Sequence, residues 1–184
     1  MKFTTKDLLL VSVFTAVMVI FAQISIPLPF SPVPITLSIF AVFMSSMLLG
    51  MVRGTIVQIV YVLLGACGAP VFQGFVGGPA KLFGPTGGYI ISYIFMALVM
   101  GALVESFKLK GRFAMGGVML IGLAVCYGFG TAWLCKLTGM NLSKALTLAV
   151  IPFVPLDLVK IAVTAVVAYD LKARLLKANL LPQE

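Results

Sequence analysis

The feature that most constrains this chain is its succession of long apolar runs, the first of them, Leu8 to Ile26, without a single ionisable side chain. A helix needs about 20 mainly apolar residues to cross a bilayer, so each such run predicts a membrane span. Hydrophobic residues make up 61% of the 184 and charged residues only 10%, with a mean hydropathy of +1.17. Most of the chain therefore has lipid for its solvent. There is room for about five to seven spans and for no soluble catalytic domain. Leu8 to Ile26 is longer than the apolar core of a signal peptide and carries no small-residue cleavage site, so a retained helix is expected.

The runs predict an all-α, polytopic bundle of six transmembrane helices forming one domain over residues 1–184. Helix one covers roughly Asp7 to Ile26, helix two Ile35 to Gly50 and helix three Gly54 to Cys67. Helix four covers Tyr89 to Glu105, helix five Phe113 to Leu137 and helix six Thr147 to Tyr169, bent or delayed by Pro152 and Pro155. Four prolines in residues 27–34 break the chain between helices one and two. Residues 68–88, with seven of the 18 glycines, form a second irregular segment, and residues 138–146 a third. Around Met51 to Arg53 there is no clear polar break, and pattern alone allows a hairpin or one kinked helix. The hairpin makes the charges coherent. It puts Lys2, Lys6, Arg53, Lys108, Lys110, Arg112, Lys172, Arg174 and Lys177 on one side, and Lys81, Lys136 and Lys144 on the other. The positive-inside rule then places both termini in the cytoplasm and the three irregular segments outside.

A net charge of +8 would raise nucleic-acid binding for a soluble protein. Here the basic residues sit at span ends and act as topology anchors, so no nucleic-acid partner is expected. Cys67, Cys126 and Cys135 form no CxxC pattern and, with no histidine in the chain, read as packing residues. Lack of histidine and of a second buried carboxylate also argues against hydrolytic, redox and intramembrane aspartyl-protease chemistry. No enzyme activity, metal or cofactor is expected.

Chemistry concentrates in two places. Asp157 and Lys160 stand three residues apart inside an apolar run, on one face of a helix. An ionised group at bilayer depth costs at least ~2.5 kcal/mol on insertion scales and is normally paired, inward-facing and functional. The alternative is a salt bridge that only fixes packing. Pro152 and Pro155 make the neighbouring backbone irregular; Pro155 either kinks the helix or begins it, and beginning it would put Asp157 in the favourable first turn. The second place is residues 68–88, where glycines admit close backbone approach and Phe72, Phe75, Phe83 and Tyr89 offer apolar walls. The alternative there is an ordinary external loop with Tyr89 at the membrane interface. No Gly-Lys-Ser or Gly-Lys-Thr follows, which disfavours nucleotide binding. Ser12 and Ala16 on helix one have the small-xxx-small spacing that lets another helix approach, a spacing also common by chance.

Four segments together resemble one known family. They are Ile-Pro-Leu-Pro-Phe-Ser-Pro-Val-Pro-Ile-Thr-Leu at 26–37, Pro-Val-Phe at 70–72, Gly-Pro-Thr-Gly-Gly-Tyr at 84–89 and Pro-Leu-Asp-Leu-Val-Lys at 155–160. In order and spacing these strongly resemble the BioY family over nearly the whole chain. The resemblance implies the substrate-binding S component of an energy-coupling-factor (ECF) vitamin transporter, in a prokaryotic-type plasma membrane, capturing biotin from outside. It implies a lid in the loop after helix one, and a site to which the loop before helix four contributes. Carried onto this chain, the candidate contacts are Asp157 and Lys160, then Gly84, Thr86, Gly87, Gly88 and Tyr89, with Phe72, Gln73, Lys81, Phe30 and Gln23 beside them. A carboxylate such as Asp157 suits the two ureido N–H donors of biotin, and Lys160 or Lys81 suits its carboxylate.

Two positions depart from the family pattern. Ser38 stands where a glutamine is frequent, removing the contact a longer amide would make, and Gln23 is the candidate replacement; Leu156 stands where a glycine is frequent. The resemblance further implies partners, namely a transmembrane coupling subunit and two cytoplasmic ATPases, docking at Ser12 and Ala16. The competing readings are a solitary transporter of biotin or another small heterocyclic acid, and a membrane scaffold without transport.

Overall fold

The computed structural model describes residues 3–107 and 111–178; Lys2, Lys108 and Lys110, three of the predicted topology anchors, lie outside the described residues. Helix α1, Thr5–Gln23, opens on a capping box. The Thr4 hydroxyl accepts from the Asp7 amide and the Asp7 carboxylate accepts from the Thr4 amide, which satisfies two of the orphan donors of a helix start. The other Asp7 oxygen accepts from Arg53 Nε at 2.6 Å, tying α1 to the next helix. The chain leaves α1 earlier than expected. Ile26 precedes Pro27 and is pushed into extended backbone, so Ser25–Ile26 (β1) pairs antiparallel with Ile35–Thr36 (β2) across the proline-rich segment.

Helix α2, Ser38–Ala66, is broken at Gly50, where φ is 75° and ψ −167°, a conformation that a side chain would strain. The break reverses the chain. Gln58 Nε2 donates to Ser45 Oγ at 3.0 Å, whereas thirteen residues of straight helix would hold these groups about 20 Å apart. The hairpin expected around Met51 to Arg53 is therefore the geometry found, hinged slightly earlier. Glu105 on the neighbouring helix accepts from the Met51 amide at 2.7 Å and so caps the second arm, supplying a partner to a first-turn donor.

After α2 come a one-turn helix α3 (Pro79–Leu82), then α4 (Gly87–Ser106), α5 (Arg112–Thr138), α6 (Leu142–Ala149) and α7 (Val154–Lys177). Helix four was expected from Tyr89 and begins two residues sooner. Helix six was expected as one bent element from Thr147, and 138–146 as loop. Instead Asn141 caps α6, its side chain accepting from the Lys144 amide, and the chain then turns by 53° before α7. Pro155 stands in the first turn of α7, where its missing donor is harmless.

Among the described residues, four helices are long and apolar enough to cross a membrane, or five if α6 and α7 form one span. The outer surface is apolar: Leu8, Leu9, Val13, Ile20 and Val159 are exposed. Polar side chains such as Ser45, Ser46, Gln58 and Ser92 are buried. This is the arrangement lipid favours, because interior polar groups can find partners only inside the bundle. Close approach supplies the packing. At Gly101 of α4 a Cβ would collide with the Met51 backbone at the α2 reversal. Gly101→Val is accordingly expected to destabilise the bundle by about 1–3 kcal/mol through overpacking, read as a lowered unfolding midpoint of the detergent-purified protein.

Candidate functional site

Between both arms of α2 and helices α4, α5 and α7, roofed by the proline-rich segment, lies a cavity with about 630 Å³ of empty space, open solvent at its mouth included. Its polar centre is built from three elements, α7, α5 and β2. Asp157, in the first turn of α7 and 1% exposed, accepts from Lys160 Nζ through Oδ1 at 2.6 Å and from the Tyr127 hydroxyl of α5 through Oδ2 at 2.6 Å. Lys160 also donates to the Thr36 carbonyl of β2 at 2.7 Å, so one ammonium joins α7 to the root of the proline-rich segment.

The arrangement leaves capacity for a ligand. An ammonium has three donors and a carboxylate about four acceptor positions, and the network uses two of each. A ligand group that both donates and accepts can therefore meet Asp157 and Lys160 together without breaking either contact. Apolar walls come from Ile39, Ile90 and Phe153. A second, outer space, under Pro27, Leu28 and Pro32, shares Pro34, Gln73, Lys81 and Thr86 with the inner one. Lys81 thus borders both spaces, whereas the buried pair borders the inner one alone.

Of the residues singled out in the sequence, Asp157, Lys160, Thr86, Tyr89, Gln73 and Lys81 line the cavity. The others stand elsewhere. The Gly84 carbonyl accepts from Trp133 Nε1 at 3.1 Å, and a Cβ at Gly87 or Gly88 would meet Leu82 or Trp133 respectively; these glycines let the loop pack on α5. Phe72 is fully buried against Tyr61, and Phe30 is exposed. Gln23 donates to the carbonyls of Val71 and Phe72, both at 3.1 Å, and accepts from the Phe75 amide at 2.9 Å. It clamps the loop rather than replacing the amide absent at Ser38. Ser38 itself lines the cavity. Ser12 and Ala16 are exposed on α1, beside Leu9, Val13 and Ile20.

Among the cavity's tyrosine and cysteine side chains, sequence reasoning missed Tyr61, Tyr93, Cys126 and Tyr127. The signal was available, since a tyrosine in the middle of an apolar run brings a hydroxyl to bilayer depth, the same reasoning that singles out Asp157.

The BioY family model matches residues 1–177. The chain is 41% identical to "Biotin transporter BioY" of Thermotoga maritima, over 91% of this chain and 96% of that relative. It is 39% identical to "Probable biotin transporter BioY" of Pyrococcus horikoshii, with the same coverage. Among solved structures it resembles the S-component for biotin from an ECF-type ABC transporter, with TM-score 0.87 and 29% identity over 94% of this chain and 95% of that one.

Breaking a buried ion pair from one side strands the other charge. Lys160→Met alone is expected to destabilise the protein by about 3–5 kcal/mol, whereas Lys160→Met combined with Asp157→Leu should recover most of that loss. Unfolding of the four proteins of this cycle in mixed detergent measures the recovery, and additive losses would contradict it.

Proposed function

The chain belongs to the BioY family, and from that premise we propose that it is the biotin-capturing S component of an ECF-type vitamin transporter, a membrane transport subunit and not an enzyme. The observation that carries the reading is the cavity, where a buried carboxylate and a buried ammonium line one wall with hydrogen-bonding capacity to spare. Biotin is the cargo, and no cofactor enters.

The chemistry of the two ends of biotin supports one orientation. Its cyclic urea is neutral and carries both N–H donors and a carbonyl acceptor, so it matches the Asp157–Lys160 pair without adding charge to the interior. Its carboxylate is expensive to desolvate and suits Lys81 at the mouth. In this reading Asp157 accepts from the ring and Lys81 faces the tail, with Tyr89, Thr86 and Gln73 completing the wall. The proline-rich segment over the cavity acts as the lid, its root held by Lys160.

The same reading counts α6 and α7 as one broken span and the two arms of α2 as a reversed pair, giving six membrane helices with both termini in the cytoplasm. The basic residues of that side, Lys6, Arg53, Arg112, Arg174 and Lys177, support it through the positive-inside rule. A transmembrane coupling subunit and two ATPases would dock from there and along α1, where exposed Ser12 and Ala16 would let a partner helix approach closely.

Calorimetric titration of the detergent-purified chain tests the reading. Biotin should bind tightly at one-to-one stoichiometry and riboflavin should not; failure of well-folded protein to bind biotin would leave a membrane scaffold as the better account. Asp157→Asn is expected to weaken binding by about 1.5–3 kcal/mol through loss of a charge-assisted acceptor. Lys81→Ala should weaken biotin but leave biotin methyl ester nearly unchanged, and an equal loss for both would remove Lys81 from the tail.

A further inference from the structure

Tyr61 sits in the second arm of α2, 1% exposed, and lines the cavity with Asp157 and Lys160. Its ring is held in place. Phe72 meets it nearly edge-on, with centroids 5.4 Å apart and planes at 78°. Phe72 in turn is buried over Gly65, where any side chain would collide with its ring.

The other tyrosines of the wall have work within the fold. Tyr127 donates to Asp157, Tyr89 shares a hydrogen bond with Thr131 at 3.2 Å, and the Tyr93 hydroxyl faces Ser38 and Thr36. The Tyr61 hydroxyl has no hydrogen-bond partner among the described residues. Thr55 Oγ1 and Gln58 Oε1 of the same helix also lack partners, but those atoms are sealed from any open space. The Tyr61 oxygen is not sealed in this way, and its residue borders the cavity. A phenol held by its ring contacts, buried, unpartnered within the fold and bordering a ligand space is a donor whose acceptor arrives with the ligand.

Its depth says which acceptor. Lys81, Gln73, Thr86 and Pro34 border both the inner and the outer space, while Tyr61 borders the inner one alone. There it shares the wall with Lys160, Tyr93 and Ser38. Building on the biotin-capture reading, we infer that Tyr61 is a specificity-determining residue whose hydroxyl donates to the carbonyl oxygen of the cyclic urea. That oxygen carries two lone pairs and can accept from Tyr61 and Lys160 together, while the ring N–H groups turn to Asp157. The phenol thereby selects a ring that presents a strong oxygen acceptor at its buried end.

The test compares biotin with 2-thiobiotin, whose thione sulfur is a poor acceptor, on the purified full chain and its Tyr61→Phe variant. Tyr61→Phe should bind biotin about tenfold more weakly and 2-thiobiotin less than about threefold more weakly. Without ligand, the variant should unfold at the same temperature as the parent or above it, because an unpartnered hydroxyl has been removed. Unchanged biotin affinity, or equal losses for the two ligands, overturns the assignment. Failure of the parent chain to bind biotin overturns the transport reading on which the assignment rests, and the parent titration separates that case from the first.

Discussion

The structure depends on how one buried ion pair is kept satisfied at bilayer depth. Asp157 and Lys160 are almost wholly removed from solvent, and two such charges in a low-dielectric interior are tolerable only if their remaining lone pairs and protons are also met. Tyr127 and the Thr36 carbonyl do this. Three features of the chain follow. The bend before α7 places Asp157 in a first turn, where the helix dipole favours its charge. The two-residue ladder of β1 and β2 holds the Thr36 carbonyl over Lys160. Helix α5, packed beside α7, presents the Tyr127 hydroxyl to Asp157.

A second consequence concerns the proline-rich segment over the cavity. Because the Lys160 ammonium binds the α7 carboxylate and the root of the proline-rich segment at once, whatever perturbs the pair is felt at the covering loop. The loop before α4 is tied down separately: Gln23 at the end of α1 holds the backbone of Val71, Phe72 and Phe75. Phe75 has φ of 56° and is the only non-glycine residue with positive φ among those described. Such a conformation persists where surrounding contacts over-determine it, and the Gln23 carbonyl on the Phe75 amide is one such contact. The two covering segments therefore have different anchors, one on a charge inside the site and one on an amide outside it.

Much of this was legible in the sequence for physical reasons. Apolar runs reported the helices because lipid admits few other structures. Asp157 and Lys160 stood out because charges in such runs are rare. What pattern could not supply was the internal geometry of the irregular segments. Ile26 and Ile35 look like helix residues by hydropathy, yet proline neighbours and ladder pairing make them strand. Residues 138–146 look like loop, yet Asn141 starts a helix by capping it. The family resemblance assigns Gly87 and Gly88 to the site and Gln23 to the place of the amide absent at Ser38, whereas in the structure Gln23 holds loop backbone and the two glycines pack against Leu82 and Trp133. Conversely Tyr61, Tyr93 and Tyr127 each carry a hydroxyl into an apolar run, a signal that marks them as polar without saying which way they face. Only spatial convergence separates a tyrosine at a membrane interface from one lining a cavity.

The distribution of charge along the cavity then explains why a small acid with a neutral polar ring is a natural occupant. At the inner end the protein has already balanced its charges, Asp157 against Lys160. A second net charge placed there would interact strongly with the pair and would lose hydration that no free counter-charge replaces. A neutral donor–acceptor ring avoids both penalties while using the open lone pairs. At the mouth Lys81 is half-buried and borders the outer space, where water still screens it and a carboxylate keeps part of its hydration. The cavity is thus polar but neutral within and cationic at its rim. That polarity sorts ligands by where their charge lies along their length, before any detailed contact is made.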